Sequence, residues 1–341
     1  MLLYISFIIL FGISFFYFLT QKILEFFTIN EFNTKCIIIT GCDSGFGKEL
    51  AIKCNDKGFI VFACCLTKEG YDKISNTNKR IIPYILDITD SSNINEFVDY
   101  VTHTISKSES WTLYALVNNA SVFGAYGPDD WTKLDFYENV FNVNVIGTIR
   151  MIHAFKKYLK ENGGRIVTMS SCVVNTPLPY AAPYNASKSA IEGYINSIRL
   201  ELKKWNVKCI LIQPSCYKTE MLSKESSDKR LQDAWSKLPS EMKIYYQKSV
   251  LTSFKEAYFN FIDSNASDQV IDVINCYFKA LVSKYPNPRY QVGFKSKTIL
   301  KWLSLIPTRC SDFFVYQLAM KNLEEILHRK TEEASTPFID S

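Results

Sequence analysis

The run Cys36-Ile-Ile-Ile-Thr-Gly-Cys-Asp-Ser-Gly-Phe-Gly-Lys48 decides how the chain folds. Four apolar residues read as a short buried strand that ends at Thr40. Three glycines follow at positions 41, 45 and 47, and a helical pattern runs from Lys48 to Lys57. Glycine lets the backbone turn sharply and come close to a ligand, and the start of a helix offers unpaired N–H groups to an anion such as a pyrophosphate. The spacing is GxxxGxG and not GxGxxG, so the loop by itself is equally a plain turn.

The rest of the chain repeats the pattern. Strand-like runs lie at Ile60 to Cys64, Ile81 to Leu86, Leu113 to Val117, Arg165 to Met169, Lys208 to Ile212 and Arg289 to Val292. Helical patterns fall between them, among them Ile94 to Ile105 and Phe136 to Leu159. Strands alternating with helices predict an α/β fold: a doubly wound sheet of seven parallel strands covered on both faces. It fills residues 34–293 without an interdomain linker.

Net charge is +5 and the basic residues are scattered, which argues against nucleic acid as a partner. The ten cysteines show no CxxC pair, and the three histidines lie far apart. No metal site and no disulfide framework is expected. Met1 to Thr20 carries no charge. Twenty helical residues span about 30 Å, the thickness of a bilayer core. A cleaved signal peptide or a transit peptide would need basic residues that are absent here, so residues 1–21 are expected to be a retained transmembrane helix. Gln21 to Asn33 then reads as a partly amphipathic juxtamembrane segment. Asn119, Asn185 and Asn265 each open an Asn-Ala-Ser sequon. Two of these fall inside the expected core, which suggests a domain facing the cytosol, unless burial protects them.

A second stretch bears the chemistry: Ser170-Ser-Cys-Val-Val-Asn-Thr-Pro-Leu-Pro-Tyr-Ala-Ala-Pro-Tyr-Asn-Ala-Ser-Lys188. Tyr184 and Lys188 are four apart, one turn on one helix face. A neighbouring ammonium stabilises a phenolate, which would make Tyr184 a usable acid or base near neutrality. Ser171 closes the preceding strand, where its hydroxyl can hold the same substrate oxygen.

Thr40-Gly-Cys-Asp-Ser-Gly-Phe-Gly47, Val117-Asn-Asn-Ala120, Asn144, Ser171 and Tyr184-x-x-x-Lys188 occur in that order. Together they resemble the short-chain dehydrogenase/reductase superfamily, whose fold is a Rossmann sheet. Gly41-Cys-Asp-Ser-Gly-Phe-Gly47, Val61-Phe-Ala-Cys-Cys-Leu-Thr67 and Pro288-Arg-Tyr290 resemble its branch of retinol, hydroxysteroid and D-3-hydroxybutyrate dehydrogenases. The resemblance runs from about Cys36 to Gln317. It implies that Gly41, Asp43, Ser44, Gly45, Phe46 and Gly47 hold the cofactor phosphates and ribose. Asp87 and Ile88 would sit beside the adenine, Asp87 being alternatively the N-cap of the helix that starts near Ser91. Asn118 and Ala120 would line the cofactor, and Pro214 and Thr219 would contact its carboxamide. Asn144 is implied in proton relay, Ser171 in orienting the substrate, Tyr184 in proton exchange, and Lys188 in depressing the Tyr184 pKa and binding ribose. Two positions depart from the family pattern: Ser121 stands where NNAG has glycine, and Ser215 where the PG pair has glycine.

Asp43 would repel a 2′-phosphate and no cation precedes Lys68 near strand two, so NAD is expected over NADP. The usual strand-two acid is missing. Residues 216–263 are read as a helical substrate lid. In residues 294–330, Ile299 to Ile306 and Phe313 to Leu318 are helices that either dock on a bilayer or pack on the domain. The expectation is a membrane-anchored oxidoreductase for a lipophilic alcohol, a retinoid or a hydroxysteroid. It would reside in the endoplasmic reticulum facing the cytosol, or else in a mitochondrial membrane. The resemblance also implies a possible homodimer through the helices carrying Asn144 and Tyr184. A 3-hydroxybutyrate dehydrogenase, marked by a buried cation facing Tyr184, and a non-catalytic binding protein of the same fold are the alternatives.

Overall fold

The computed structural model describes residues 12, 13, 16, 19–77 and 80–317. Its seven strands are β1 (Lys35–Thr40), β2 (Ile60–Cys65), β3 (Ile81–Ile85), β4 (Thr112–Asn118), β5 (Arg165–Met169), β6 (Lys208–Pro214) and β7 (Arg289–Val292). They form one sheet in the order β3-β2-β1-β4-β5-β6-β7. Every pairing is parallel. The strand order reverses between β1 and β4, and ligand crevices open at such a point, beyond the carboxyl ends of the strands.

Side chains alternate across each strand, so the sheet has two buried faces. Ile37, Ile39 and Val61 point to one side, where α1 (Gly45–Asp56), α2 (Lys68–Ser75) and α9 (Ile271–Val282) contribute Leu50, Ile74 and Tyr277. Ile38, Phe62 and Leu116 point to the other. There α3 (Ser91–Ser106), α5 (Thr148–Glu161) and α6 (Ala182–Leu202) bring Phe97, Phe155 and Ile195. Cys36, Cys42, Cys54, Cys64 and Cys65 are buried thiols that pack as small apolar residues.

A third cluster lies above the sheet. Helices α7 (Lys224–Ser236) and α8 (Ser240–Asn265) close over the loop after β4. Trp131 meets Trp235, Tyr246 and Phe254 edge-on, and Tyr126 stacks on Tyr258 with centroids 4.0 Å apart. Tyr246 donates to Asp130 at 2.6 Å. Aromatic pairs of this kind fix the lid more firmly than area alone would. The helix α8 is kinked at Gln247, which has φ 56°.

Two expectations change. The helix read across Phe136 to Leu159 is interrupted: α4 (Leu134–Phe141) passes into a π-helical turn, Asn142–Gly147, before α5. Residues 21–33 are not merely juxtamembrane. Glu25 is buried and binds Lys279 and Asn287, Ile29 N donates to Val282 O at 2.8 Å, and Lys284 N donates to Phe27 O at 2.7 Å. The expected transmembrane helix at residues 1–21 lies almost wholly outside the described residues, and among the described residues no helix is long and apolar enough to cross a membrane. In the C-terminal part, α10 (Phe294–Lys297), α11 (Ile299–Leu303) and α12 (Thr308–Val315) follow β7. Leu303 is buried, and Leu300 O accepts from Thr176 Oγ1 at 2.9 Å.

Candidate active site

A cavity of about 880 Å³ runs from the glycine loop, past residues 119–124, to Ser171, Tyr184 and the lid. The loop keeps its shape through neighbours in β1 and β4. Asn119 Nδ2 donates to Thr40 O at 3.0 Å and Gly41 O at 3.1 Å, and Thr40 Oγ1 accepts from Asn119 N and Ala120 N, each at 3.1 Å. Gly41 has φ +71°, and a Cβ there would meet Ala120 Cα at 2.8 Å. Gly45 has φ +57°, and a Cβ there would find only Thr219, 3.9 Å away across open space. Ser44 caps α1 without a side-chain hydrogen bond, so the first-turn amides keep their donors for a ligand. This open, glycine-built, donor-rich turn fits a dinucleotide pyrophosphate.

Asp43 sits at the end of β2. Its carboxylate accepts from Leu66 N at 2.9 Å, Thr67 N at 2.9 Å and Thr67 Oγ1 at 2.8 Å. The acid that β2 lacks in sequence is therefore delivered to that strand's end from the glycine loop.

The chemistry-bearing groups come from β5 and α6. Ser171 lies two residues past the end of β5 and caps a single 3-10 turn, its hydroxyl accepting from Val173 N at 3.4 Å. Tyr184 is in the first turn of α6, just after Pro183, which suits a helix start. Its ring stacks on Phe123 at 4.7 Å. Burial pushes the Tyr184 phenol above its ordinary value, and the neighbouring Ser171 hydroxyl acts in the opposite direction. Lys188 is 2% exposed, donates to Met169 O at 3.2 Å, and has Nζ 5.4 Å from the Tyr184 ring centroid. Burial lowers its pKa to about 7, against the charge of Glu192, which raises it. Burial therefore outweighs the lowering effect expected of Lys188 on the Tyr184 phenol: spacing supplied the neighbour, but burial acts on both groups, raising the phenol and lowering the amine.

Asn144 stands in the π-helical turn, where the irregular backbone aims it at the loop after β4. Its Oδ1 accepts from Val122 N at 2.8 Å and Ser121 Oγ at 3.1 Å. Its Nδ2 donates to Val122 O at 2.9 Å and Ser187 Oγ at 3.0 Å. Ser121, one departure from the family pattern, thus holds Asn144. Ser215, the other, faces Gly293, where a Cβ would lie 2.2 Å from its Oγ. The added side chain is accommodated by a glycine on the neighbouring strand's end. Asn142 accepts from Arg150 at 2.9 Å.

Of the expected site residues, Gly41, Asp43, Ser44, Gly45, Phe46, Ala120, Ser171, Tyr184, Pro214 and Thr219 line the cavity. Gly47, Asp87, Ile88, Asn118, Asn144 and Lys188 do not. Asp87 is no N-cap: its Oδ1 accepts from Thr89 N at 2.8 Å and Thr89 Oγ1 at 2.7 Å, while Asp90 caps α3. Ile88 packs on Gly147. Asn118 is buried, and its Oδ1 has no hydrogen-bond partner among the described residues.

Sequence reasoning missed Asn119, Arg230 and Glu192. Glu192 is 3% exposed and lies one turn beyond Lys188 on α6. It accepts from Ser170 Oγ and Gln213 Nε2, and pairs with Arg289 at 2.5 Å. Its i,i+4 spacing from Lys188, between Ile191 and Ile195, was the signal available.

The fold and this site define a dinucleotide-dependent oxidoreductase of the doubly wound class. Residues 35–230 match the family model described as short chain dehydrogenase. The 3beta-hydroxysteroid dehydrogenase dhs-16 of Caenorhabditis elegans is 35% identical over 91% of this chain and 81% of its own length. Retinol dehydrogenase 5 of Mus musculus is 30% identical over 81% of this chain and 86% of its own. A solved short chain dehydrogenase/reductase from Burkholderia phymatum in complex with NAD shares the fold, with a TM-score of 0.65 at 19% identity, covering 84% of this chain and 96% of that one. The chain belongs to the short-chain dehydrogenase family, in the branch of retinol and hydroxysteroid dehydrogenases, and is an alcohol dehydrogenase.

Proposed function

We propose that the protein interconverts a lipophilic alcohol, a retinoid or a hydroxysteroid, with its carbonyl, using NAD. One observation carries the reading: Ser171 and Tyr184 share a cavity of about 880 Å³ with the glycine loop and with Phe123, Met221, Leu222, Leu300 and Leu303. That volume and wall suit a large apolar substrate. Bound NAD would supply the acceptor for a hydride from the carbinol carbon. Tyr184 takes the hydroxyl proton while Ser171 holds the oxygen. Lys188, in its ammonium form, favours the phenolate so produced. Asn144, tied to Ser121, Val122 and Ser187, fixes the wall behind them. Asp43 supports NAD over NADP, since a 2′-phosphate at the end of β2 would meet a carboxylate.

The membrane anchor, residence in the endoplasmic reticulum and the cytosolic face belong to the same proposal. Their support is the uncharged run Met1 to Thr20 and the two sequons inside the domain. Asn119 and Asn185 spend their side chains on Gly41 O and Leu178 O, where a glycan has no room. Homodimer formation is supported by exposed Ile146 and Leu200, on the turn carrying Asn144 and on the helix carrying Tyr184.

The 3-hydroxybutyrate reading asked for a buried cation facing Tyr184. Arg230 lies in the cavity, but a four-carbon acid would leave most of that volume to water. The test is NADH formation by the full chain offered retinol, 3- and 17-hydroxysteroids and 3-hydroxybutyrate. Tyr184→Phe should cut turnover by about 100- to 10,000-fold while NADH binding persists. Turnover that survives this substitution refutes the assignment of Tyr184.

A further inference from the structure

Arg230, on α7, is the one cation among the described residues that line the cavity. Its Nη2 donates to Met221 O at 2.7 Å and to Ser227 Oγ at 3.0 Å. The Tyr258 phenol lies beside it. None of these partners is an anion, no carboxylate pairs with Arg230 among the described residues, and its Nε is buried with no hydrogen-bond partner. The Tyr258 hydroxyl is likewise buried, with Arg230 and Ser227 as its polar neighbours. The acids that share the wall are otherwise engaged or turned outward. Asp43 caps residues 66 and 67, Asp233 pairs with Lys237 at 3.1 Å, and Glu220 is exposed.

A guanidinium partly withdrawn from water without a counter-charge is unfavourable for the fold, and burial does lower its pKa. Hydrogen bonds to a carbonyl and a hydroxyl hold it in place without offsetting its charge. An anion arriving in the cavity would do so, and would find a rigid donor fork beside a buried phenol. Position adds direction. The guanidinium carbon is 5.6 Å from the Phe123 ring centroid, and Phe123 stacks on Tyr184 at 4.7 Å. The guanidinium is therefore no more than about 10 Å from the Tyr184 ring, with Phe123 between them. An apolar body lying along Phe123 would place one end at Tyr184 and the other at Arg230.

We propose that Arg230 anchors a carboxylate at the end of the substrate remote from the reacting hydroxyl, so that the preferred substrate is an amphiphilic hydroxy acid with a lipophilic body. This deepens the functional reading above and rests on Tyr184 being the proton-transfer group.

The experiment compares a hydroxysteroid bearing a carboxylate on the ring opposite its hydroxyl with the methyl ester of the same compound, using the full chain and saturating NAD. Wild type should favour the acid at least tenfold in kcat/KM. Arg230→Gln should lower kcat/KM for the acid at least tenfold, through KM, and leave the ester within about twofold. Arg230→Lys should restore part of the loss. Equal use of acid and ester by wild type, or an equal fall for both in Arg230→Gln, overturns the proposal. If neither alcohol is oxidised, the affinity of the matching keto acid and keto ester is read from tryptophan fluorescence. Weaker binding of the keto acid alone in Arg230→Gln supports the anchor, and unchanged binding overturns it. Failure of the dehydrogenase reading itself would show separately, as no NADH from the neutral retinoid and steroid panel.

Discussion

Lys188→Met separates the cost of a buried amine from its use. Burial brings the Lys188 pKa from 10.5 to about 7. A base whose folded pKa lies below its unfolded one holds fewer protons when folded across that interval. Stability of the native protein therefore rises with pH between about 7 and 10.5, by at most about 1.4 kcal/mol per pH unit. Below pH 7 the whole penalty is present, about 5 kcal/mol; by pH 10 about 1 kcal/mol of it remains. Methionine keeps an unbranched apolar stem and removes the charge. It also leaves Met169 O without its donor, now at 3.2 Å, at a cost of about 1–3 kcal/mol. The variant should be more stable than wild type by about 2–4 kcal/mol at pH 6 and no more stable, or weaker by up to about 2 kcal/mol, at pH 10. Urea unfolding of both proteins, followed by tryptophan fluorescence at each pH from 6 to 10, measures the difference. Buried groups such as Cys36 and Tyr114, both pushed up to about 12, also bend the alkaline end of each curve, but they are common to both proteins and cancel on subtraction. A difference that does not change with pH, or a variant weaker than wild type at pH 6, refutes the reasoning. NADH formation should be lost at every pH, a gain in stability at the expense of activity.

Two further substitutions test the sequence's own departures. Ser121→Ala removes one of the two donors to Asn144 Oδ1 and leaves Val122 N in place. Thermal unfolding should show a loss of about 0.5–1.5 kcal/mol, with turnover changed only severalfold; loss of all turnover would mean that Ser121 acts on substrate directly. Asp43→Asn removes the negative charge at the end of β2 while keeping one of the two oxygens that accept from Leu66 N and Thr67 N. The ratio of kcat/KM for NADP to that for NAD should rise at least tenfold, and an unchanged ratio would take cofactor choice away from Asp43.

Much of the fold was legible because its signals are local. Apolar runs bounded by polar residues placed all seven strands, Arg165–Met169 and Arg289–Val292 with the same ends as in the structure. The glycine loop announced its own turn. The break between α4 and α5 was less legible, since nothing in Phe141-Asn-Val-Asn-Val-Ile-Gly147 spells a π-turn; the two asparagines, costly in a helix, were the only hint. Burial was not legible at all. The four-residue spacing of Tyr184 and Lys188 gave proximity, yet the sign of each pKa shift depends on how much water the surrounding chain excludes. Arg230 and Leu300 join the site from helices far away in sequence. No spacing rule connects them to Ser171 or Tyr184.

The Glu192 carboxylate shows why fold and site are hard to separate here. It receives Ser170 from the end of β5, Gln213 from β6 and Arg289 from β7, while riding on the helix that carries Tyr184 and Lys188. Ser170 adjoins Ser171, and Gln213 adjoins Pro214, so the same carboxylate sets the two loops that flank the proton-transfer groups. Its charge is also the one favourable influence on the Lys188 ammonium, which burial otherwise discharges. A buried acid is costly unless each of its oxygens is satisfied. Here the satisfying donors come from three strands and one of them is a guanidinium, so the cost is met only when the last strands are docked. Burial in the fold lowers the Lys188 pKa and the docked Glu192 opposes that shift, which couples the site's electrostatics to the docking of the last strands.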